Sequence, residues 1–534
     1  MNTIGFFSLA EIVNVNFFFN ALLSFILFKR LLTYLHILQQ DTYNTKRFLN
    51  WFFKNRAFDR YMTSVIFICM SINWLIGASP DNMTLKAFAF FATFTLSIIE
   101  KSPLKDAKKR LVLTHRAMRI LAASLLLYIP ILFNNDFKLT TLILIIQSAP
   151  FVLGLANLIT LPFENLLQRK YLHAAKHTLN TLNPTIIGIT GSYGKTSMKH
   201  ILGHILNKYQ PTLYTPGSVN TPMGICHVIQ NKLKANHRYF IVEMGAYHMG
   251  SIAKLCQLTP PNIGAVTSIG PCHLERFGSM GNIANGKSEL LAAIESNIKP
   301  IGFSFPSELS KLDAFKHYIK SNLMITPLTC LKKEQTVEGL AIDVKENDTI
   351  TTIKAPIFGL HQADNIVLAI TIARKLGAPM ELIQGALRSL KQISARLEVN
   401  HDINNTTWIN DGFNANPEGF KQAIDLLTQF GNHKKGRKIL ITPGIIELGD
   451  QHDEIHAQIA KYAMAQVDIL IIVAPQRIDS FVKTAELLKK PHQTVLTALG
   501  FSDAQKWVNE YITENDTILI ANDLPDILES RPNI

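Results

Sequence analysis

The chain changes its hydrophobic rhythm near residue 165. Before that point five apolar stretches follow one another: Ile12 to Phe28, Tyr61 to Ala78, Leu85 to Ile99, Ile120 to Phe133 and Leu139 to Leu161. Their length and low charge predict membrane-spanning helices. The last is long enough to cross about 30 Å of hydrocarbon with tilt, whereas the third and fourth need snorkelling flanks or a thinned bilayer. Beyond residue 165, short β-branched runs alternate with amphipathic helical patterns, the rhythm of a mostly parallel sheet covered on both faces. Strands are expected at Thr185 to Thr190, Tyr239 to Met244, Ile263 to Ile269 and Ile301 to Ser304, with a small hairpin over Gln335 to Lys354. A second series follows at Trp408 to Asp411, Lys438 to Pro443, Ile469 to Ala474 and Thr517 to Ala521. The expected fold class is an α-helical transmembrane region (1–165) and a linker (166–184) followed by α/β structure. The latter divides into a P-loop-type central ATPase domain (185–397) and a smaller Rossmann-like C-terminal domain (398–534).

Charge orients the first third. Seven basic residues lie between Lys29 and Arg60 and seven between Lys101 and Arg119, while Ser79 to Thr84 and Asn134 to Lys138 together hold one lysine. The positive-inside rule places both basic segments in the cytoplasm and the N-terminus outside. The expectation is a multi-pass membrane protein with everything after Leu161 in the cytoplasm. The formal net charge of +13 is then read as affinity for anionic membrane lipid rather than nucleic acid, because the basic residues sit between apolar segments. The aromatic and basic stretch QQDTYNTKRFLNWFFKN reads as an interfacial element. Five cysteines form no C-x-x-C pair, which fits a reducing compartment without structural zinc.

Chemistry concentrates where the second rhythm begins. The apolar run Ile186, Ile187, Ile189 ends in Gly191-Ser192-Tyr193-Gly194-Lys195-Thr196-Ser197, and the helical pattern Met198, Ile201, Leu202, Ile205, Leu206 follows at once. Strand, glycine loop and helix in that order let backbone N–H groups close on phosphate oxygens, with Lys195 on the β/γ-phosphates and the Thr196 hydroxyl free for Mg²⁺. Glu243 ends the next long apolar strand, where a carboxylate can hold Mg²⁺ or cap a helix. His273 follows another strand end and reads either as a metal ligand or as a solvated loop histidine. Lys287 lies on a helix and reads as surface charge.

The runs TGSYGKTS, VEMGAYHMGSIAKLC, TSIGPCHLERFGSMGNIANGKSELL, GLHQADN, SARLE, NDGFNANPEGF and PGIIELGD resemble the Mur ligases, ATP-dependent amide ligases of peptidoglycan synthesis. Their motifs are most similar to the branch that joins D-alanyl-D-alanine to a UDP-N-acetylmuramoyl-tripeptide. The resemblance covers about residues 185 to 525 and implies ATP and two Mg²⁺ ions as cofactors. It implies Thr196, Glu243 and His273 as metal ligands, and Lys287 as a lysine carbamylated by CO₂ that supplies another anionic oxygen. Asn365 would touch the base, Arg396 the γ-phosphate, and Asp411 the nucleotide from the C-terminal domain. Lys195, Lys287, His273 and Arg396 are thus the catalytic candidates. Gln362 departs from the family's asparagine in Gly-x-His-Asn-x-x-Asn, and Asn522-Asp523 stands where the alanyl-alanine branch reads Lys-Gly-Ser.

The implied reaction phosphorylates a carboxylate with ATP and lets an amine attack the acyl phosphate. The implied partners are a soluble or lipid-linked muramyl peptide and an amino acid or dipeptide. The alternative is a Mur-type ligase that joins a different amino acid, or glutamate, to a membrane-associated or other carboxylate. A nucleotide-driven transporter and a non-catalytic nucleotide-binding scaffold are readings from other classes.

Overall fold

The computed structural model describes residues 9–77, 83–100, 102–104, 110–132, 139–271, 274–402, 405–413, 416–445 and 448–522. Two compact units divide the described chain after Leu167.

The first unit is helical: α1 (Leu9–Gln40), α2 (Thr45–Lys54), α3 (Tyr61–Leu75), α4 (Met83–Ile99), α5 (His115–Leu132) and the start of α6 (Leu139–Leu182). Two stretches, Phe18–Gln40 and Leu139–Leu182, are long and apolar enough to cross a membrane, and the helices Tyr61–Leu75 and Met83–Ile99 are shorter. Each of the five expected apolar stretches is met by a helix, with the ends Ala78 and Phe133 lying outside the described residues, but α1 continues twelve residues past Phe28 into what the charge pattern suggested was a loop. Leu31, Leu32, Leu35 and Leu38 recur at helical spacing and are buried there. Arg30 is tolerated inside because Asp59 meets its Nε at 2.7 Å and Glu100 its Nη1 at 3.1 Å; a buried guanidinium needs such partners. The interfacial stretch forms α2, capped by Asn44 accepting from the Arg47 N–H, with Phe48 and Phe52 buried and Phe53 exposed.

In the second unit a five-stranded parallel sheet comes first. Its elements are β1 (Thr185–Thr190), α7 (Lys195–Tyr209), β2 (Thr212–Tyr214), α8 (Pro222–Lys232), β3 (Tyr239–Glu243), α9 (Ser251–Leu258), β4 (Ile263–Val266), the short α10 (Leu274–Phe277), α11 (Met280–Glu295), β5 (Gly302–Ser304) and the short α12 (Asp313–Lys316). The strand order is β2-β3-β1-β4-β5, so β1 and its phosphate-type loop lie in the middle. Expected strands appear, with Ile263 to Ile269 ending early at Val266 because Thr267 and Ser268 turn to bond the loop after β1. The stripe Met198, Ile201, Leu202, Ile205, Leu206 of α7 is wholly buried. Each such side chain contributes about 1.5–3 kcal/mol of burial, which fixes the helix that begins with Lys195.

Where a hairpin was expected there are three antiparallel strands, β6 (Thr329–Thr336), β7 (Gly339–Glu346) and β8 (Thr349–Ala355). The first of them is mostly exposed and polar, so alternation did not mark it. The helices α13 (Gln362–Lys375) and α14 (Met380–Arg388) follow. The remaining sheet comprises β9 (Glu398–His401), β10 (Thr407–Asp411), α15 (Pro417–Lys434), β11 (Lys438–Thr442), α16 (His452–Met464), β12 (Ile469–Val473), α17 (Asp479–Leu488), β13 (Thr494–Ala498), α18 (Phe501–Tyr511) and β14 (Thr517–Ala521), in the order β13-β12-β11-β14-β10-β9. Its strands are parallel except β9, which pairs antiparallel with β10.

Candidate active site

The loop between β1 and α7 is built by glycines with no room for a side chain. Gly191 has φ +148°, and a Cβ there would stand 2.0 Å from Thr267 Oγ1; Gly194 has φ +80°, with Asn365 Oδ1 2.7 Å from its would-be Cβ. These are backbone states that glycine alone adopts without strain. A second loop clasps the first: Ser268 accepts the Ser192 N–H at 2.7 Å and, through its hydroxyl, the Tyr193 N–H at 3.2 Å. The Thr267 hydroxyl donates to the Tyr193 carbonyl, and the Gly270 N–H donates to the Ser192 hydroxyl at 3.0 Å. The Lys195 ammonium donates to the carbonyls of Gly191 (2.8 Å) and Ser192 (3.1 Å), so it lies along the loop at the N-terminus of α7.

Glu243 ends β3 beside β1 and is 1% exposed. Its Oε2 accepts the Thr196 hydroxyl at 3.1 Å and the Lys199 ammonium at 2.8 Å, and its Oε1 the Asn220 amide at 3.4 Å. Lys199 is completely buried; burial draws its ammonium below the usual lysine range and Glu243 opposes that. Thr196 and Glu243 bring two hard oxygen donors together at the mouth of the loop, the chemistry that Mg²⁺ accepts, so the donor set fits such an ion. Among the described residues no three His, Cys, Asp or Glu side chains gather into a metal cluster. His273, the third expected ligand, lies outside the described residues.

Lys287 is on α11 and is buried, its Nζ 6.0 Å from the centroid of the Phe277 ring, which corrects its reading as a surface charge. Two residues further along, Glu289 accepts the Gly250 N–H at 2.6 Å and the Ala253 N–H at 2.9 Å, fastening α11 to the start of α9.

Arg396 reaches the same region from the end of the α14 segment. Its Nη1 donates to the Phe413 carbonyl, and burial draws the guanidinium below its ordinary range against the pull of Asp411 and Glu243. The residues on either side, Ala395 (φ +54°) and Leu397 (φ +53°), hold left-handed backbone, which costs non-glycine residues about 1 kcal/mol each. Asp411 ends β10, buried, and accepts the Leu397 N–H at 3.2 Å. Asn365 is on α13 and donates to Gln362 Oε1 at 2.9 Å; Gln362 in turn donates to the Ser197 hydroxyl at 3.2 Å. The glutamine at which the motif departs from the family pattern therefore relays α13 to the phosphate-type loop.

Thr196, His200, His204, Tyr214, Gly217, Arg396 and Phe413 border an open cleft of about 550 Å³. His200 stands edge-on to Tyr214, and burial together with Lys199 pushes its imidazole down to about 4, so it is neutral at physiological pH. The structure thus brings Gly191 to Ser197, Glu243, Asn365, Arg396 and Asp411 to one region. Sequence reasoning missed Lys199, Thr267 and Ser268. The three-residue spacing of Ser197 and His200 around a lysine on the loop-bearing helix gave no signal, because Lys199 finds its partner 44 residues away.

Two family models match the chain: the Mur ligase middle domain over residues 189–373 and the Mur ligase glutamate ligase domain over residues 395–522. The UDP-N-acetylmuramoyl-tripeptide–D-alanyl-D-alanine ligase of Escherichia coli (strain K12) is 26% identical over 299 residues, covering 54% of this chain and 65% of that protein. The enzyme of the same name from Mycobacterium tuberculosis (H37Rv) is 30% identical over 310 residues, covering 55% and 59%. The chain therefore spans less than two thirds of the length of these relatives. Among solved structures, the MurF ligase of Thermotoga maritima in complex with ADP has a TM-score of 0.57 at 22% identity, covering 68% of this chain and 82% of that one. MurF of Acinetobacter baumannii gives 0.56 at 23%, covering 67% and 77%. At these identities the likeness establishes the α/β fold. With both domains present in sequence order, the chain belongs over residues 189–522 to the Mur ligase family.

Proposed function

We propose that this protein is an ATP-dependent carboxylate–amine ligase of peptidoglycan precursor synthesis, adding D-alanyl-D-alanine to a muramyl tripeptide. The observation that carries the proposal is the glycine loop with Lys195 laid along it and Thr196 bonded to Glu243, beside a cleft that Thr196 and Arg396 both border. The names of the Escherichia coli and Mycobacterium tuberculosis relatives support the choice of substrates. In this reading the loop N–H groups and Lys195 hold the phosphates of ATP, and Asn365 and Asp411 orient the nucleoside. Arg396 offsets the charge that develops as the phosphoryl group passes to the carboxylate. The amine then attacks the acyl phosphate, expelling inorganic phosphate and leaving an amide. Thr196, Glu243 and His273 would hold Mg²⁺, with a carbamylated Lys287 serving a second ion; bound metal would polarise the phosphate and acyl oxygens. The C-terminal sheet is read as Rossmann-like, bringing the amine. Catalysis rests on positioning and electrostatics.

By the family resemblance, the N-terminal unit would occupy the place of the usual UDP-binding domain. We read it as a multi-pass anchor in a bacterial inner membrane with about five spans. Large apolar side chains held out to solvent support that reading, among them Phe67 (63% exposed), Trp74 (81%), Phe88 (61%) and Leu144 (70%). Such a unit would bring the enzyme to a membrane-delivered or lipid-linked muramyl peptide.

The test is ADP release by the detergent-purified full chain given UDP-muramyl-tripeptide, with D-alanyl-D-alanine or single amino acids added in turn. Release stimulated by the dipeptide is the expected result. Stimulation by glutamate alone would replace the proposed branch with a glutamate ligase, and turnover indifferent to any amine would overturn the ligase reading.

A further inference from the structure

The chemistry proposed above leaves one buried cation without a role. Lys199 lies one turn beyond Lys195 on α7, completely buried, and donates both to Glu243 Oε2 at 2.8 Å and to the carbonyl of Gly217. An ammonium is kept in such a place only when paired and hydrogen-bonded, and here its partner is the carboxylate offered above to a metal ion. Oε2 already receives two donors, Thr196 and Lys199, while Oε1 faces the Asn220 amide at 3.4 Å. Arg396 is close enough for its charge to act on both Lys199 and Glu243. Arg396 has Asp411 as its first charged partner, so the negative charge of Glu243 is balanced chiefly by the Lys199 ammonium in direct contact with it. A bare divalent ion approaching this paired carboxylate gains little attraction; one carried on a polyphosphate brings its own anionic ligands with it.

We infer that Lys199 cancels the charge of Glu243 so that the divalent metal is retained only together with nucleotide. Lys199 is a positioning residue: it touches neither nucleotide nor reacting atoms, fixes the rotamer of Glu243, and ties the loop at Gly217 to it. The inference rests on the reading of this cleft as a metal–nucleotide site.

The test is a Mn²⁺ titration of the detergent-purified full chain with and without ADP, in which protein-bound Mn²⁺ is measured by equilibrium dialysis against the same Mn²⁺ and ADP concentrations without protein. ADP binding is followed separately by thermal shift. Wild-type protein is expected to leave Mn²⁺ free without ADP and take it up with ADP. Lys199→Met is expected to bind Mn²⁺ without nucleotide at least about tenfold more tightly than wild type, and Lys199→Arg to behave as wild type. Equal Mn²⁺ uptake by the wild type with and without ADP overturns the inference, and it needs no variant to fold. A Lys199→Met protein that binds ADP but shows unchanged Mn²⁺ affinity overturns it too. Failure of the wild type to bind ADP at all overturns the nucleotide-site reading itself and the inference with it, and the thermal shift tells that case apart.

Discussion

At Gly191 a single methyl group decides whether the phosphate-type loop exists. With 2.0 Å between its would-be Cβ and Thr267 Oγ1, and φ at +148°, Gly191→Ala must break the clasp of the 267–270 loop. That variant is expected to lose the thermal stabilisation that ADP gives the wild type. Gly385→Ala, in open space on α14, is the control and should match or exceed the wild-type melting temperature, since alanine is favoured over glycine within a helix by about 1 kcal/mol. A Gly191→Ala protein with an undiminished ADP shift would remove the loop from the site. The loop was legible in the sequence because phosphate binding demands glycine, lysine and threonine as chain neighbours. Arg396 was legible only by resemblance: the strain at Ala395 and Leu397 belongs to residues that look ordinary in a sequence. Lys199 was not legible at all, since ion pairing across 44 residues is a property of the folded sheet.

In the second turn of α16 a buried histidine holds the loop that leads in from β11. His456 is wholly buried; its Nε2 accepts the Ile445 N–H at 3.0 Å, and its Nδ1 bonds the His452 carbonyl at 2.7 Å. One ring nitrogen must therefore be unprotonated, and burial holds the imidazole down to about 4 from an ordinary 6.5. Because the folded state binds fewer protons than the unfolded one in that window, stability is complete above pH 6.5 and is lost as pH falls toward 4. The loss amounts to about 3 kcal/mol at 1.36 kcal/mol per unit. Urea midpoints measured from pH 7 to pH 4.5 should show this decline, and His456→Asn, less stable at pH 7, should show a shallower one. Equal slopes would assign the acid sensitivity elsewhere. At this scale the sequence was read well where strands are β-branched runs, as at Ile469–Val473. It was read poorly at Thr212–Tyr214, Glu398–His401 and Thr494–Ala498, which are three to five residues long and partly polar. Edge strands need less burial, so they leave less pattern.

The molecule as a whole joins two units that obey different solvation rules. The helical unit exposes apolar side chains in close succession, as at Phe67, Ile68, Ile72, Trp74, Leu75 and Ile76, whereas in the second unit the exposed ones, such as Ile298 and Leu499, stand singly around buried cores. Expressed in a bacterium, the full chain is expected to sediment with membranes and to resist extraction by alkaline carbonate; recovery in the soluble fraction would overturn the anchor. Charge and hydropathy made that unit legible as helices, but not the buried trio Arg30, Asp59 and Glu100 that lets α1 run on. The C-terminal sheet has a different lesson in its strand order, β13-β12-β11-β14-β10-β9. One of its two middle strands, β14, is the last of the six to leave the ribosome. Until Thr517–Ala521 emerges, β10 and β11 have no neighbour between them and expose unpaired strand edges. Assembly of this domain is therefore all-or-none and late, so nascent chains stalled after β13 are the species that chaperones must shield and proteases will find.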